Sequence, residues 1–217
     1  MLKKHTLKEF DNVVDRLVDT ITAMGDAVAG QLDKTRALIP ENNPALIASI
    51  LEEEERINEF QEEIDRQSVL ILSAYQPVAQ DLRCIIAALK IGTDLERIAD
   101  YAVNIAKQVK KNGPVTDGEM APAMLEMCRL AGTMLREVIP AYRARDIAEA
   151  QRVWEMDDEL DARYKALLKQ VGSAPSGEGQ AVAALPKIVS IAKYFERAGD
   201  HIKNIAEHIL YMVTGDR

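Results

Sequence analysis

Two cysteines and an aromatic content of 5% are the first scarcities of this 217-residue chain. Cys84 and Cys128 have no metal-ligand spacing and are too few for a disulfide framework. Both stand inside apolar helical patterns and read as buried thiols. No stretch alternates polar and apolar residues with period two, which excludes a β architecture. No apolar run approaches the roughly 20 residues that a membrane-spanning helix needs. Met1-Leu2-Lys3-Lys4 leads into His5-Thr6-Leu7-Lys8-Glu9 rather than into an apolar segment with a small-residue cleavage site, so the sequence predicts no signal peptide and a cytoplasmic location. Positive charge is short as well: 27 Lys and Arg stand against 35 Asp and Glu, a formal charge of -8. That balance disfavours nucleic acid as the main partner and is compatible with a cation or a basic protein.

Catalytic signatures are missing too. There is no Gly-rich phosphate loop, no zinc-type cluster and no nucleophile paired with a general base. The Glu-x-x-His pattern of catalytic di-iron bundles is absent: His5 is terminal, His201 points about a quarter turn away from Asp200, and His208 follows Glu207 without completing the motif. The sequence therefore predicts a protein that performs no chemistry on a substrate.

What is present is helix. Good helix formers dominate, and turn residues divide the chain into six segments. The first spans about Thr6 to Ala37, with Phe10, Val13, Val14, Leu17, Ile21, Met24, Val28 and Leu32 on one stripe. Asn43-Pro44 supplies an N-cap and a first helical residue for the second, which reaches about Ala74. The third restarts after Gln76-Pro77 and ends near Lys111, before Asn112-Gly113-Pro114. A fourth from about Gly118 to Ala144, bent or shortened by Pro140, precedes a fifth capped by Asp146. A flexible loop at 172–179 leads to the sixth, from about Gln180 to Val213. The expected fold is all-α, a tandem pair of antiparallel three-helix bundles over residues 1–112 and 117–217.

The third and sixth helices share a motif. Asp94-Leu95-Glu96-Arg97-Ile98-Ala99-Asp100 continues to Asn104-Ile105-Ala106, and Tyr194-Phe195-Glu196-Arg197-Ala198-Gly199-Asp200 continues to Asn204-Ile205-Ala206. Packing alone would need only the apolar members. Residues four apart share a helix face, so Glu96 neighbours Asp100 and Glu196 neighbours Asp200, and both pairs extend an apolar seam. The fifth helix adds Asp157 and Asp161, flanked by Trp154 and Tyr164; the matching place in the second holds Glu54 and Asn58. An acid pair thus approaches another acid pair in each bundle. Oxygen ligands of this kind suit magnesium, calcium, manganese or iron. An ion-pair network neutralised by Arg97 and Arg197 accounts for the same residues. Both readings stand at this level, as do a ferritin-type metalloenzyme and a purely structural scaffold. The third and sixth helices are apolar on two sides, which leaves room for a homodimer.

These segments, together with Gln76-Pro77-Val78-Ala79-Gln80-Asp81-Leu82-Arg83, Asp157-Asp158-Glu159-Leu160-Asp161 and the terminal Tyr211-Met212-Val213-Thr214-Gly215, resemble the PhoU regulators of phosphate uptake over essentially the whole chain. The resemblance implies metal held by E/D-x-x-x-D motifs, here Glu54 with Asn58, Glu96 with Asp100, Asp157 with Asp161, and Glu196 with Asp200. It implies divalent or ferric ions, with iron, manganese, magnesium, zinc and calcium all open. It also implies negative regulation of high-affinity phosphate uptake and of the phosphate-starvation response. The implied partners are the ATPase subunit of a phosphate transporter and a phosphate-responsive histidine kinase, so that the protein meets the membrane only through them. Asn58 departs from the acid the motif calls for, and the amino-terminal bundle is expected to hold metal less well than the carboxy-terminal one.

Overall fold

A computed structural model describes residues 2–116, 120–173 and 180–216, with side chains described from Lys8 onwards and, in the last helix, from Leu185. The start of the fourth helix at Gly118 and the loop beyond Ser173 lie outside the described residues. Six helices follow in order: α1 Leu2–Leu38, α2 Pro44–Tyr75, α3 Ala79–Asn112, α4 Met120–Ala144, α5 Ile147–Ser173 and α6 Gln180–Thr214. Local chemistry fixes their ends. Asn43 Oδ1 accepts from the backbone N–H groups of Ala45 (3.0 Å) and Leu46 (3.4 Å), satisfying donors that the first turn of α2 cannot pair itself. Gln76, at φ 46°, closes α2 with its N–H donating to the Leu72 carbonyl. Asp146 Oδ1 accepts from the Glu149 N–H at 3.1 Å and opens α5. Pro140 does not shorten α4, which runs on to Ala144.

Helices α1, α2 and α3 pack on one another, as do α4, α5 and α6, giving the expected pair of three-helix bundles. The bundles then join through α3 against α6 and α1 against α4, while α2 and α5 each touch only their own bundle. One continuous apolar core results. It runs through Leu17, Ile21 and Met24 of α1, Ile91, Leu95 and Ile98 of α3, Met127 and Leu135 of α4, and Phe195, Ile202 and Ile205 of α6. At the α1–α4 crossing a Cβ on Gly25 would lie 2.6 Å from Ile139 Cγ1, so only glycine permits this approach. The two-sided apolarity of α3 and α6 therefore has a use inside the chain: one side serves its own bundle and the other meets the opposite motif helix. Self-association would have to use other surface, such as the exposed Val69, Leu70 and Val78 near the α2–α3 turn.

Contacts between α3 and α6 obey a rule. Asp94 meets His201, Tyr101 meets Tyr194, and Lys187 reaches the end of α3 at Asn112, so positions rise on one helix as they fall on the other. The helices are antiparallel, and the internal repeat becomes a local two-fold relation between the bundles. Lys187 Nζ donates to the carbonyls of Asn112 (3.2 Å), Gly113 (3.1 Å) and Pro114 (2.8 Å), capping α3 where its last carbonyls lack helical partners. Val115 N–H donates to the Ile39 carbonyl at 2.8 Å, tying the link between bundles to the end of α1.

Candidate functional site

The carboxyl groups of each bundle lie between its motif helix and its outer helix. In the first bundle, Asp100 and Glu54 both raise the pKa of Glu96, behind the larger effect of its burial, which places the three acids within one another's field. Arg97 offsets them, with Nη1 on Asp100 at 3.1 Å and Nε 3.5 Å from Glu96. Asn58 is exposed, and its side chain makes no hydrogen bond among the described residues. The first site is thus three acids and one arginine.

The second bundle carries four acids in the matching places. Asp157 falls on the buried stripe of α5 with Ala150, Val153, Leu160 and Leu167, and is 4% exposed. Burial, then Glu196, Asp157 and Asp161 in turn, raise the Asp200 carboxyl above its ordinary value, so all four share one electrostatic neighbourhood. Burial likewise raises Asp157 despite the hydrogen bond from Lys203. The sequence pointed to Arg197 as the neutralising charge, but it is exposed; lysines take that place. Lys203 Nζ donates to Asp157 at 3.0 Å, Lys193 Nζ to Glu196 at 2.6 Å and Lys165 Nζ to Asp161 at 3.1 Å. Asp200 has no ion pair among the described residues. The aromatic neighbours hold the same cations: Lys203 Nζ lies 4.4 Å from the Trp154 ring centre and Lys193 Nζ 5.4 Å from that of Tyr164.

Among the described residues no group of three or more His, Cys, Asp or Glu side chains is already arranged to hold a metal ion. The donors are nevertheless of the right kind. Four carboxyl groups, three of which raise the Asp200 pKa behind the larger effect of its burial, suit a hard cation, which would relieve that repulsion. The sign of the pH effect follows from the raised Asp200 value. A carboxyl whose pKa is higher in the folded than in the unfolded chain withdraws stability as pH rises from about 4, the unfolded value, through the folded one. Asp200→Asn is therefore expected to raise the melting temperature of the cation-free protein at pH 7 and to lose that advantage below about pH 4. Thermal scans across pH check it.

Close helix approach also shapes this site. A Cβ on Gly199 would overlap Leu160 Cδ2 and lie 2.8 Å from Asp157 Oδ1. Leu160 is fully buried and cannot retreat into solvent. Gly199→Ala is expected to destabilise the fold by about 1–3 kcal/mol through overpacking, read by urea unfolding.

A second polar group, unforeseen in the sequence, lies inside the α3–α6 interface. Asp94, 7% exposed, has Oδ1 2.7 Å from His201 Nδ1 and Oδ2 3.2 Å from His208 Nε2. Asn204 Nδ2 donates to Oδ1 at 3.5 Å, and Tyr101 Oη lies 3.2 Å from His201 Nε2. Burial would raise the Asp94 carboxyl, but hydrogen bonds from His201 and His208 outweigh it and hold the group below its ordinary range. The signal was present in the repeat itself. Asp94 aligns with Tyr194 and Tyr101 with His201, and these mismatched positions are the ones that meet across the local two-fold. Cys84 and Cys128 are buried as expected; burial pushes the Cys128 thiol up to about 12.

Comparison with known proteins bears on the whole chain. The model of the PhoU domain matches residues 21–109 and 124–209. A phosphate-specific transport system accessory protein PhoU homolog of Zymomonas mobilis is 36% identical over 211 residues, covering 97% of this chain and 89% of its own. Its counterpart in Caulobacter vibrioides is 31% identical over 218 residues, covering 99% and 94%. The crystal structure of PhoU from Pseudomonas aeruginosa superposes with a TM-score of 0.88 at 28% identity, over 95% of this chain and all of that one. That of PhoU from Streptococcus pneumoniae, at 24% identity and a TM-score of 0.86, covers 95% and 98% and shares the fold.

Proposed function

The chain belongs to the PhoU family, and from that membership we propose that it is an accessory regulator of phosphate transport. In this reading it restrains high-affinity uptake and the phosphate-starvation response when phosphate is plentiful, through contacts with the transporter's ATPase subunit and a phosphate-responsive histidine kinase. Its place is the cytoplasm, its working form a homodimer, and its role regulatory rather than catalytic. The carboxylate groups hold metal. A hard cation would be held in the carboxy-terminal bundle by Asp157, Asp161, Glu196 and Asp200, and more weakly in the other by Glu54, Glu96 and Asp100 with Asn58. Bound there, it would supply charge neutralisation and cross-link a motif helix to its outer helix.

One observation carries the reading. The two helices bearing the repeated motif, one from each matched domain, pack antiparallel on each other, so both acid groups flank a single shared interface. A change of charge at either group acts on helices that the bundles hold in common. That arrangement suits a relay between partners better than a pocket for turnover. The test is affinity capture from cells grown with abundant or scarce phosphate, with the tagged protein as bait. Recovery of a phosphate-transporter ATPase or a phosphate-responsive kinase, in amounts that change with phosphate, is the expected result; recovery of neither under either condition would overturn the reading.

A further inference from the structure

The lysines of the carboxy-terminal bundle have no counterparts in the other. In the register of the repeat, Lys193 aligns with Thr93 and Lys203 with Val103, while Trp154 and Tyr164 align with Leu51 and Gln61. The two bundles therefore differ in the cations they keep beside their acids: Arg97 in one, lysines on aromatic rings in the other.

Lys203 is the most constrained of these. Its Nζ is the sole hydrogen-bond partner of the Asp157 carboxylate among the described residues, at 3.0 Å, and the Asp157 side chain is only 5% exposed. The same ammonium stands 4.4 Å from the Trp154 ring centre, and Trp154 Nε1 in turn donates to Glu207 Oε1 at 3.1 Å. Trp154 and Glu207 line the cleft between α5 and α6, which gives the freed ammonium somewhere to go. By contrast the Lys165 side chain on Asp161 is 70% exposed, and water screens that pair. A divalent ion and an ammonium on one buried carboxylate repel strongly. Lysine has the flexible stem to leave and a second anchor, the indole face, to move to.

We propose that Lys203 is the resident cation of the carboxy-terminal site: it holds Asp157 until a metal ion displaces its ammonium towards Trp154 and Glu207, and so sets the affinity of that site. The proposal rests on the cation reading given above. Calorimetric titration with manganese(II) chloride tests it on the full chain, for the wild type, Lys203→Met, Lys203→Gln, Asp157→Ala and Lys169→Met. The last removes an equal charge from the exposed surface of the same bundle. Loss of Lys203 is expected to tighten manganese binding about tenfold, the scale of one charged hydrogen bond, with Lys169→Met within about twofold of wild type. Trp154 is the only tryptophan. Its emission maximum is expected to shift on manganese addition in the wild type and to stay put in both Lys203 variants.

Folding is followed by melting temperature. Without metal the Lys203 variants leave Asp157 unpaired, so manganese should raise their melting temperatures more than that of the wild type. Binding that depends on Asp157 but is unchanged or weakened by both Lys203 substitutions overturns the role of Lys203 and leaves the cation reading standing. Binding that is absent, or indifferent to Asp157→Ala, overturns both.

Discussion

Asp94→Ala is expected to cost about 3 kcal/mol of folding stability, a fall of about 10 °C in melting temperature for a chain of this length. Two imidazoles and an amide converge on this one carboxylate inside the α3–α6 interface. Alanine would leave these partly buried groups without this acceptor, and polar groups left unpaired on burial are expensive. Because α3–α6 is a principal contact between bundles, the loss should loosen their docking before it unfolds either one. Asp94→Asn retains one acceptor and should cost less. The pH dependence gives an independent check. The folded Asp94 pKa lies below its ordinary value, so its contribution is fully present above about pH 4 and is lost as pH falls through the folded value. Urea unfolding at stepped pH should show an acid-side loss in the wild type that is reduced in Asp94→Asn.

The second large effect concerns metal. Removing two donors together, in Asp157→Ala/Asp200→Ala, is expected to weaken manganese binding in the carboxy-terminal bundle by at least about a hundredfold, since even groups behind the ligands change affinity by about 10–100-fold. The matching pair, Glu96→Ala/Asp100→Ala, should abolish a weaker event. The asymmetry has a local cause. The second bundle offers four acids and the first three, with Asn58 turned to solvent and Arg97 spanning Glu96 and Asp100. Equal affinities in the two double variants would contradict this ordering.

Much of the fold was readable in the residues. Asn43-Pro44 and Asp146 announced helix starts by side-chain chemistry that acts within a few residues, and the caps form as expected. The six-helix division followed from turn residues, and the buried thiols from the apolar helical patterns around them. What periodicity could not supply was the partner of each second apolar face. A stripe on α3 reads the same whether it meets α6 of its own chain or another copy, and the structure assigns it to α6. Counter-charges were misjudged for a related reason. Arg97 and Arg197 stand at matching places in the repeat, yet Arg97 closes on its acids while Arg197 is exposed. Lys193 lies one turn before Glu196, and Lys203 reaches Asp157 from the facing helix. His201 was correctly turned away from Asp200; what it turns towards, Asp94, belongs to the other bundle.

The most direct measurement is an anomalous-scattering map at the manganese edge from crystals of the wild-type protein grown with manganese(II). The predicted result is a strongest peak among Asp157, Asp161, Glu196 and Asp200, with Lys203 Nζ drawn off Asp157. A map with no peak there and Lys203 still bonded to Asp157 would contradict the account.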